Sequence, residues 1–276
     1  MSRPSTPLNL LVSLETIDQN HSALERLAEL AALFQARLQG IYVEDEELLA
    51  IADFPFTEEV QLHARQANNL DREKLEQQMR SAGRQAEMLL ARIANRWNID
   101  WRFQRIRGKV TAELFKAAQQ ADIVSMLAGN RSSYRGRFLP TDSGNLEAFL
   151  ERPCIIVPPT INAGNEIIVI VDRDQGLERL LEPARLISQQ GKRPLIIILQ
   201  AAQNHSLYDQ VKAFFADHHL AAQILLPRLQ TIDELINLLN LRNAHMVFIH
   251  AQNLLLTGSN PAIWSRRLTA PIMLIP

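Results

Sequence analysis

Apolar residues along the chain follow two patterns that alternate. Short continuous apolar runs, such as LNLLVSLE at 8–15 and EIIVIVD at 166–172, are typical of strands buried on both faces of a sheet. Between such runs lie segments with apolar residues every three or four positions, such as SALERLAELAALF at 22–34 and GLERLLEPARLIS at 176–188. This spacing indicates amphipathic helices. Strand alternating with helix predicts an α/β protein whose parallel sheet is covered on both faces.

The same order of elements occurs twice. The first half begins with the run at 8–15 and ends with RPCIIVPP at 152–159, and the second begins at 166 and ends with APIMLIP at 270–276. The penultimate runs also correspond, because ADIVSMLAG from 121 aligns with AHMVFIHA from 244. We therefore predict two tandem, doubly wound, five-stranded units. Turn-forming residues at 158–165 predict the linker, which gives domains at 1–160 and 161–276.

The first half carries an insertion of about forty residues, most of it between Val43 and Trp97. The charged segment 57–96 has leucine and methionine at helical spacing and predicts one extended helix, with an interruption near Gly83 left open. Such a helix could cover the other half or a partner subunit. Thr111 and Thr231 each precede a helical pattern with a carboxylate two or three residues later, which predicts two N-caps.

Composition and charge exclude several functional classes. The chain has 276 residues, is 47% hydrophobic and has a formal net charge of −1, so it can form ordinary cores but has no overall charge that favours nucleic acid or an anionic membrane. No apolar run approaches the roughly 18 residues of a membrane span, and the N-terminus does not resemble a signal peptide. We expect a cytoplasmic protein. Cys154 lies in an apolar run and is predicted to be a buried side chain.

Residues that could carry metal or acid–base chemistry mostly have simpler interpretations. His218 and His219 are adjacent, so on a helix they point about 100° apart and cannot readily share one metal. The segment Asp172-Arg173-Asp174 could bind magnesium or form a catalytic pair, but aspartate between strand and helix favours a helix cap. The acidic run 44–47 could contact a basic partner, although complementing a helix dipole is favoured. Trp264 is a candidate interface residue.

The tandem units resemble the universal stress protein family, specifically its two-domain members. The features that carry the resemblance are ADIVSMLAG before a polar loop and the proline-led last strand RPCIIVPP, and the stretch 11–56 is especially similar to the family's first strand, helix and second strand. The resemblance covers nearly the whole chain and is stronger in the first half. It implies an adenine nucleotide alpha hydrolase-like fold, a pseudo-dimer joined through the last strands, and stress-related roles based on binding, not catalysis.

The resemblance also implies where a nucleotide would bind. ATP-binding members have an aspartate at the end of the first strand and, after the fourth strand, a G-x-x-G loop followed nine residues later by glycine and a hydroxyl residue. In the first half Glu15 replaces the aspartate, Gly129 matches the first glycine, and Ser132 replaces the second. The later glycine–hydroxyl pair occurs here in reversed order, as Ser143-Gly144, and follows ten intervening residues instead of nine. Arginines at 131, 135 and 137 could offset lost backbone donors. The implied site comprises Glu15, the Val43 backbone, Gly129, Asn130, Arg131, Ser132, Ser143 and Gly144, with ATP or AMP as the candidate ligand.

The second half departs further from the family pattern. Asp172 keeps the strand-end aspartate, but the loop after AHMVFIHA has no glycine before Gly258 and has leucines at 254–256 where phosphates would lie. A side chain at a position that needs glycine costs about 1 kcal/mol or more, so we expect no nucleotide there. Two hypotheses remain. One is a non-enzymatic binding and regulatory protein with at most one degenerate adenine-nucleotide or small-anion site, in the first half. The other is a stress-related interaction module that binds no nucleotide and acts through a homo-oligomer or a protein partner.

Overall fold

The chain folds around one large twisted sheet. A computed structural model describes residues 7–14, 21–53, 58–60, 67–69, 71–127, 151–200, 205–256 and 264–276. Its main sheet has ten strands in the order β10-β9-β8-β11-β12-β7-β6-β1-β2-β5, and β3 pairs with β4 in a separate two-stranded sheet. The sheet therefore runs through both halves of the sequence without a break.

The elements alternate along the chain as the apolar pattern predicts. The strands are β1 (Asn9–Ser13), β2 (Arg37–Asp45), β3 (Glu58–Val60), β4 (Ala67–Asn69), β5 (Trp101–Gly108), β6 (Ile123–Leu127), β7 (Cys154–Val157), β8 (Glu166–Val171), β9 (Leu195–Leu199), β10 (Gln223–Leu225), β11 (Ala244–His250) and β12 (Ile272–Ile275). The described helices are α1 (His21–Leu33), α2 (Glu46–Ala52), α3 (Arg72–Arg96), α4 (Val110–Gln119), α5 (Leu177–Gly191), α6 (His205–Asp217) and α7 (Ile232–Leu241).

The two halves have the same strand order. The first half runs β5-β2-β1-β6-β7 and the second runs β10-β9-β8-β11-β12, so each has its own strands in the order 3-2-1-4-5. Within each half the strands of the main sheet are parallel, whereas the last strands β7 and β12 pair antiparallel, with Ile155 opposite Met273. The predicted fold class is confirmed. The domain boundary at residue 160 falls between β7 and β8 and stays a prediction.

Helices cover both faces of this sheet, as the uninterrupted apolar strands require. Side chains of α1, α3, α5 and α6 pack on one face, and those of α4 and α7 on the other. Trp264 is 3% exposed and packs in the apolar layer on the face covered by α4 and α7. It is therefore a core residue of this chain, and its assignment to an interface is wrong. Cys154 is fully buried, as predicted, and burial raises the pKa of its thiol to about 12.

The long helix of the first half is shorter and more regular than predicted. It begins at Arg72, where Asp71 accepts a hydrogen bond from the Glu73 amide at 2.9 Å, and it runs through Gly83 without a break. The segments 58–60 and 67–69 pair as strands, so a helix from residue 57 is wrong. Gly83 is accommodated because a Cβ there would lie 3.1 Å from the Tyr42 ring, on which the helix packs closely. Helix α3 covers β2 and β5 of its own half.

Local polar contacts confirm one predicted cap and correct another. Thr231 forms a full capping box with Glu234 at the start of α7. Thr111 is not a cap, because α4 begins one residue earlier with Lys109 at the N-cap and no side-chain cap bond.

The acidic run at the end of β2 divides between two roles. Asp45 caps α2 by accepting from the Glu47 amide at 3.0 Å, and Glu46 and Glu47 lie in the first turn of that helix, where they complement its dipole. Glu44 does not belong to this group, because it is buried on β2 and pairs with Arg107 at 3.1 Å. The helix-dipole interpretation therefore holds for the last three acidic residues and is wrong for Glu44.

Candidate functional site

The topology creates two equivalent crevices at the carboxyl ends of the strands. Ligands in open α/β sheets bind beyond these ends, where the strand order reverses. In this sheet the reversal lies between β1 and β6 in the first half and between β8 and β11 in the second. These crevices are the two places where the fold itself would accommodate a small molecule.

One residue of the predicted first-half site is described. Val43 lies on β2, 5% exposed, two residues past Ile41, which pairs with Ser13 at the end of β1. Its backbone therefore lies beyond the end of β1, on the side where a ligand of this crevice would sit. The other seven predicted residues lie outside the described ranges: Glu15, Gly129, Asn130, Arg131, Ser132, Ser143 and Gly144.

Ser13 is the described residue of β1 that lies nearest to the first crevice. It is the last residue of β1, and its hydroxyl oxygen is buried without a hydrogen-bond partner among the residues described. The following Leu14 amide donates to the Ile41 carbonyl at 3.0 Å, which holds the chain against β2. A buried hydroxyl costs free energy unless something bonds to it, so this end of β1 offers one donor and acceptor to a water or a ligand.

The second-half crevice is filled by polar side chains of the chain itself. Asp172 follows β8 directly, and His250 is the last residue of β11, the neighbouring strand across the reversal. Both side chains are only 5% exposed, and the Nδ1 atom of His250 lies 3.5 Å from a carboxylate oxygen of Asp172. This separation is longer than an ordinary hydrogen bond, so the contact is electrostatic.

Arg173 spans the crevice from one strand end to the next. Its guanidinium donates to both carboxylate oxygens of Asp172, at 3.2 Å and 2.9 Å, and to the backbone carbonyl of Gln252 at 2.5 Å. Gln252 lies just beyond β11, so the side chain ties the end of β8 to the loop between β11 and β12. A ligand in this crevice would have to displace charge-assisted hydrogen bonds, which are among the stronger polar contacts in proteins.

The electrostatics of Asp172 follow from these contacts. Burial alone would raise the pKa of its carboxyl group, but the His250 ring and the hydrogen bonds and charge of Arg173 outweigh burial and lower the pKa to about 2. The group is therefore ionised at neutral pH and compensated within the protein. Asp172 caps no helix, because α5 begins after Gly176, so the cap predicted for this aspartate is wrong.

His250 is held between a strand end and a helix start. Neither of its ring nitrogens has a hydrogen-bond partner among the described residues. Gly176 has φ +76°, and a Cβ there would lie 3.2 Å from Nε2 of His250, so glycine both permits the left-handed backbone and leaves room for the ring. The helix start therefore packs directly against the imidazole, with no side chain between them.

A second polar pair extends the cluster towards β9. The fully buried Asn253 donates from Nδ2 to the side-chain oxygen of Gln200 at 2.9 Å and accepts from the Leu255 amide at 3.0 Å. Gln200 follows β9, so three adjacent strand ends contribute to one polar cluster. Leu256 packs into the core below it, while Leu254 is 78% exposed. The apolar loop thus anchors itself by Leu256 where the family pattern would have glycines.

Comparison with solved structures identifies the fold. A universal stress protein from Archaeoglobus fulgidus DSM 4304 superposes with a TM-score of 0.67 at 13% identity, covering 97% of each chain. A functionally unknown protein from Pseudomonas aeruginosa PAO1 gives a TM-score of 0.54 at 13% identity, over 98% of this chain and 92% of that one. A protein from Pseudomonas aeruginosa UCBPP-PA14, provisionally classed as a universal stress protein, gives 0.52 at 14% identity, over 98% and 93%. The chain has the universal stress protein fold.

The resemblance expected from the sequence is therefore confirmed at the level of the fold. No protein-family model matches the chain, and no curated protein matches it either. Within the parts of the chain described above, no helix is long and apolar enough to cross a membrane, and no group of three or more His, Cys, Asp or Glu residues is placed to bind a metal.

Several residues of this universal stress protein fold were missed by sequence reasoning. The pattern of the chain singled out Asp172 but not its partners His250, Asn253 and Gln200. One signal was available, since all of them lie at or just beyond the carboxyl ends of buried strands, which the predicted topology brings to one edge of the sheet. Nothing in the sequence indicates that Arg173 turns back onto Asp172, because neighbouring side chains on an extended strand would point to opposite faces.

Proposed function

We propose that this chain is a non-catalytic binding and regulatory protein of the universal stress type, with at most one degenerate adenine-nucleotide or small-anion site. That site lies in the first-half crevice between β1 and β6. It comprises Glu15, the Val43 backbone, residues 129–132, Ser143 and Gly144, and its candidate ligands are ATP and AMP.

The observation that supports this proposal is the difference between the two crevices. In the second half, the strand-end carboxylate that would meet a nucleoside already pairs with Arg173, which also bonds across the crevice to Gln252. In the first half, the Ser13 hydroxyl is buried without a hydrogen-bond partner among the described residues, and the backbone of β2 around Val43 continues past the end of β1. A ligand gains nothing by competing with an internal ion pair, so binding is favoured in the first half.

Calorimetric titration of the full chain with ATP, ADP, AMP and cyclic AMP tests this proposal. We expect one nucleotide per chain at most, with a dissociation constant in the micromolar to millimolar range because the sequence of the phosphate loop departs from the family's glycine pattern. Replacing Arg131 with alanine, or Gly129 with valine, should abolish the heat signal. The matched change in the second half, Arg173→Ala, should leave it unaltered.

Two outcomes would contradict the proposal in different ways. Binding that survives Arg131→Ala but disappears in Asp172→Asn would place the site in the second half instead of the first. No response to any of the four nucleotides at millimolar concentration, in a chain whose thermal unfolding is otherwise normal, would favour the alternative of an interaction module that binds no nucleotide.

A further inference from the structure

Strand β5 forms a long outer edge of the main sheet. It lies at one end of the ten-stranded order and has eight residues, whereas β10 at the other end has three. Proteins commonly keep edge strands short because unpaired backbone groups invite another strand to pair with them. An eight-residue strand is about 26 Å long, which is enough for a full interstrand ladder.

The register of the sheet identifies the backbone groups that face outward. The Asp100 carbonyl accepts from the Leu38 amide on β2 at 2.9 Å, so residue 100 points towards β2. Backbone direction alternates along a strand, so the next residue, Trp101, and every second residue after it point the other way. The amide and carbonyl groups at the open edge are those of Trp101, Phe103, Arg105 and Arg107, and none of them has a hydrogen-bond partner among the described residues.

The segment of the chain that contains this edge strand is basic. Residues 72–109, which comprise α3, β5 and their connection, contain ten Lys and Arg residues against four Asp and Glu, a net charge of +6 in a chain of net charge −1. Strand β5 itself carries Arg102, Arg105 and Arg107 and no acidic residue. The side chains of Arg105 and Arg107 are each 44% exposed, although both contact the buried Glu44 and Arg107 also pairs with Glu76 on α3 at 3.4 Å. Charge and open backbone thus coincide on one strand.

We propose that the open edge of β5 binds an extended acidic segment of a partner protein by strand addition. Main-chain hydrogen bonds to the four outward residues supply the affinity, and the arginines select acidic side chains. A second copy of this chain is a poorer occupant, because pairing β5 with β5 would bring six arginines along one seam without an acidic residue on either strand. The proposal concerns a surface separate from both crevices.

The test uses the full chain and a fluorescein-labelled peptide in which glutamate alternates with valine. We expect saturable binding by fluorescence anisotropy, and none by the matched peptide in which lysine replaces glutamate. Binding should also slow amide hydrogen exchange at Trp101, Phe103, Arg105 and Arg107, the residues whose amides point outward. The alternate residues of β5 already pair with β2 and should not change.

Two substitutions at one position separate charge from backbone pairing. Arg105→Ala removes one exposed charge and should weaken peptide binding about two- to fivefold. Arg105→Pro also removes an outward amide without breaking the ladder to β2, and should weaken binding about tenfold or more. Arg228→Ala, an exposed arginine near the opposite edge of the sheet, is the matched control and should have no effect.

The proposal is overturned if the acidic peptide does not bind, or if it binds without protecting the four outward amides. It is also overturned if those amides become protected as protein concentration rises without peptide, because the occupant would then be a second copy. Far-UV circular dichroism shows whether Arg105→Pro folds. If it does not, Arg105→Ala alone decides the contribution of charge.

Discussion

At the scale of single residues, Asp172 shows how a crevice at the strand ends of this fold is closed by the protein's own side chains. The carboxylate lies where the strand order reverses, yet both of its oxygens accept hydrogen bonds from Arg173. The neighbouring His250 ring adds an electrostatic contact at 3.5 Å. Removing one member of a buried ion pair leaves the other charge uncompensated. This costs more stability than replacing both members with apolar residues.

This arrangement predicts a dependence of stability on acid pH. The pKa of Asp172 is about 2 in the folded protein, and it is about 3.9 in an unfolded chain. The ionised carboxylate therefore contributes stability above about pH 4, worth about 2 to 3 kcal/mol, which is lost as the pH falls from about 4 towards 2. We expect Asp172→Asn to lower the free energy of unfolding by about this amount at pH 7, and the difference from the native chain to shrink at pH 3. Urea unfolding at both values measures it.

The neighbouring Asp174 is the control for this prediction, because it is exposed and Asp174→Asn should alter stability little at either pH. Equal losses in the two variants, or a loss at Asp172 that does not depend on pH, would show that the Arg173 contact is not what stabilises the carboxylate.

At the scale of elements, a partly buried polar network joins α1 of the first half to the second half. Arg26 donates to Nδ1 of His245 at 2.8 Å, and Glu29 accepts from Arg193 at 2.9 Å. Nε2 of His245 lies 3.4 Å from Glu29. Since Arg26 can only donate, Nδ1 accepts and the ring proton belongs on Nε2, facing the carboxylate. The contact of Nδ1 with the Gly164 carbonyl at 3.2 Å is then not a hydrogen bond.

This network predicts a second dependence of stability on pH, which arises from a histidine kept neutral in the folded protein and not from an ionised carboxylate. Burial and the charges of Arg26 and Arg193 lower the pKa of His245 to about 4, against about 6.5 in an unfolded chain. Between these values the unfolded chain binds more protons, so stability falls as the pH decreases from about 6.5 to 4, by up to about 3 kcal/mol. We expect His245→Gln to flatten this part of the pH profile, as measured by chemical unfolding at pH 7 and pH 5.

The exposed His205 provides a matched variant, because His205→Gln should leave the slope of stability against pH unchanged. A slope that persists in His245→Gln would mean that other groups cause it.

Elements were more predictable from the sequence than either polar cluster. Strands β8 and β11 and helix α5 were identified because their signals are local, namely continuous apolar runs and helical spacing. The apolar stripe of α1 likewise predicts its buried face, but nothing in the sequence indicates that Arg26 and Glu29 on the same helix would be partly buried. Their partners come from residues more than 130 positions away, which only the tertiary structure brings together.

At the scale of the whole molecule, the antiparallel pairing of β7 and β12 makes two similar halves into one sheet. Ile155 lies opposite Met273 and Ile156 opposite Ile272, and all four are almost completely buried. The sequence predicted this joint through the family resemblance, since an apolar last strand alone does not specify which neighbour it will pair with. The joint also determines which edges remain outermost, and thus leaves β5 open.

A continuous sheet predicts that the two halves unfold together. Each apolar layer contains residues of both halves, and the joint adds a ladder and four buried side chains to their contact. We expect Ile155→Ala to lower the free energy of unfolding by about 2 to 5 kcal/mol, as for other large-to-small core changes, and to shift the transition of both halves equally. With Trp97 and Trp101 replaced by phenylalanine, Trp264 reports on the second half alone.

The measurement compares Trp264 fluorescence with far-UV circular dichroism during urea unfolding. We expect the two curves to coincide in the native chain and to shift together in Ile155→Ala. Leu241→Ala, at an 84% exposed position, should shift neither curve. If Trp264 instead kept its native midpoint while the dichroism signal moved, the second half would unfold independently of the joint. The sheet would then be continuous in its hydrogen bonds but not in its cooperativity, because the surface buried between the halves would be too small to couple them.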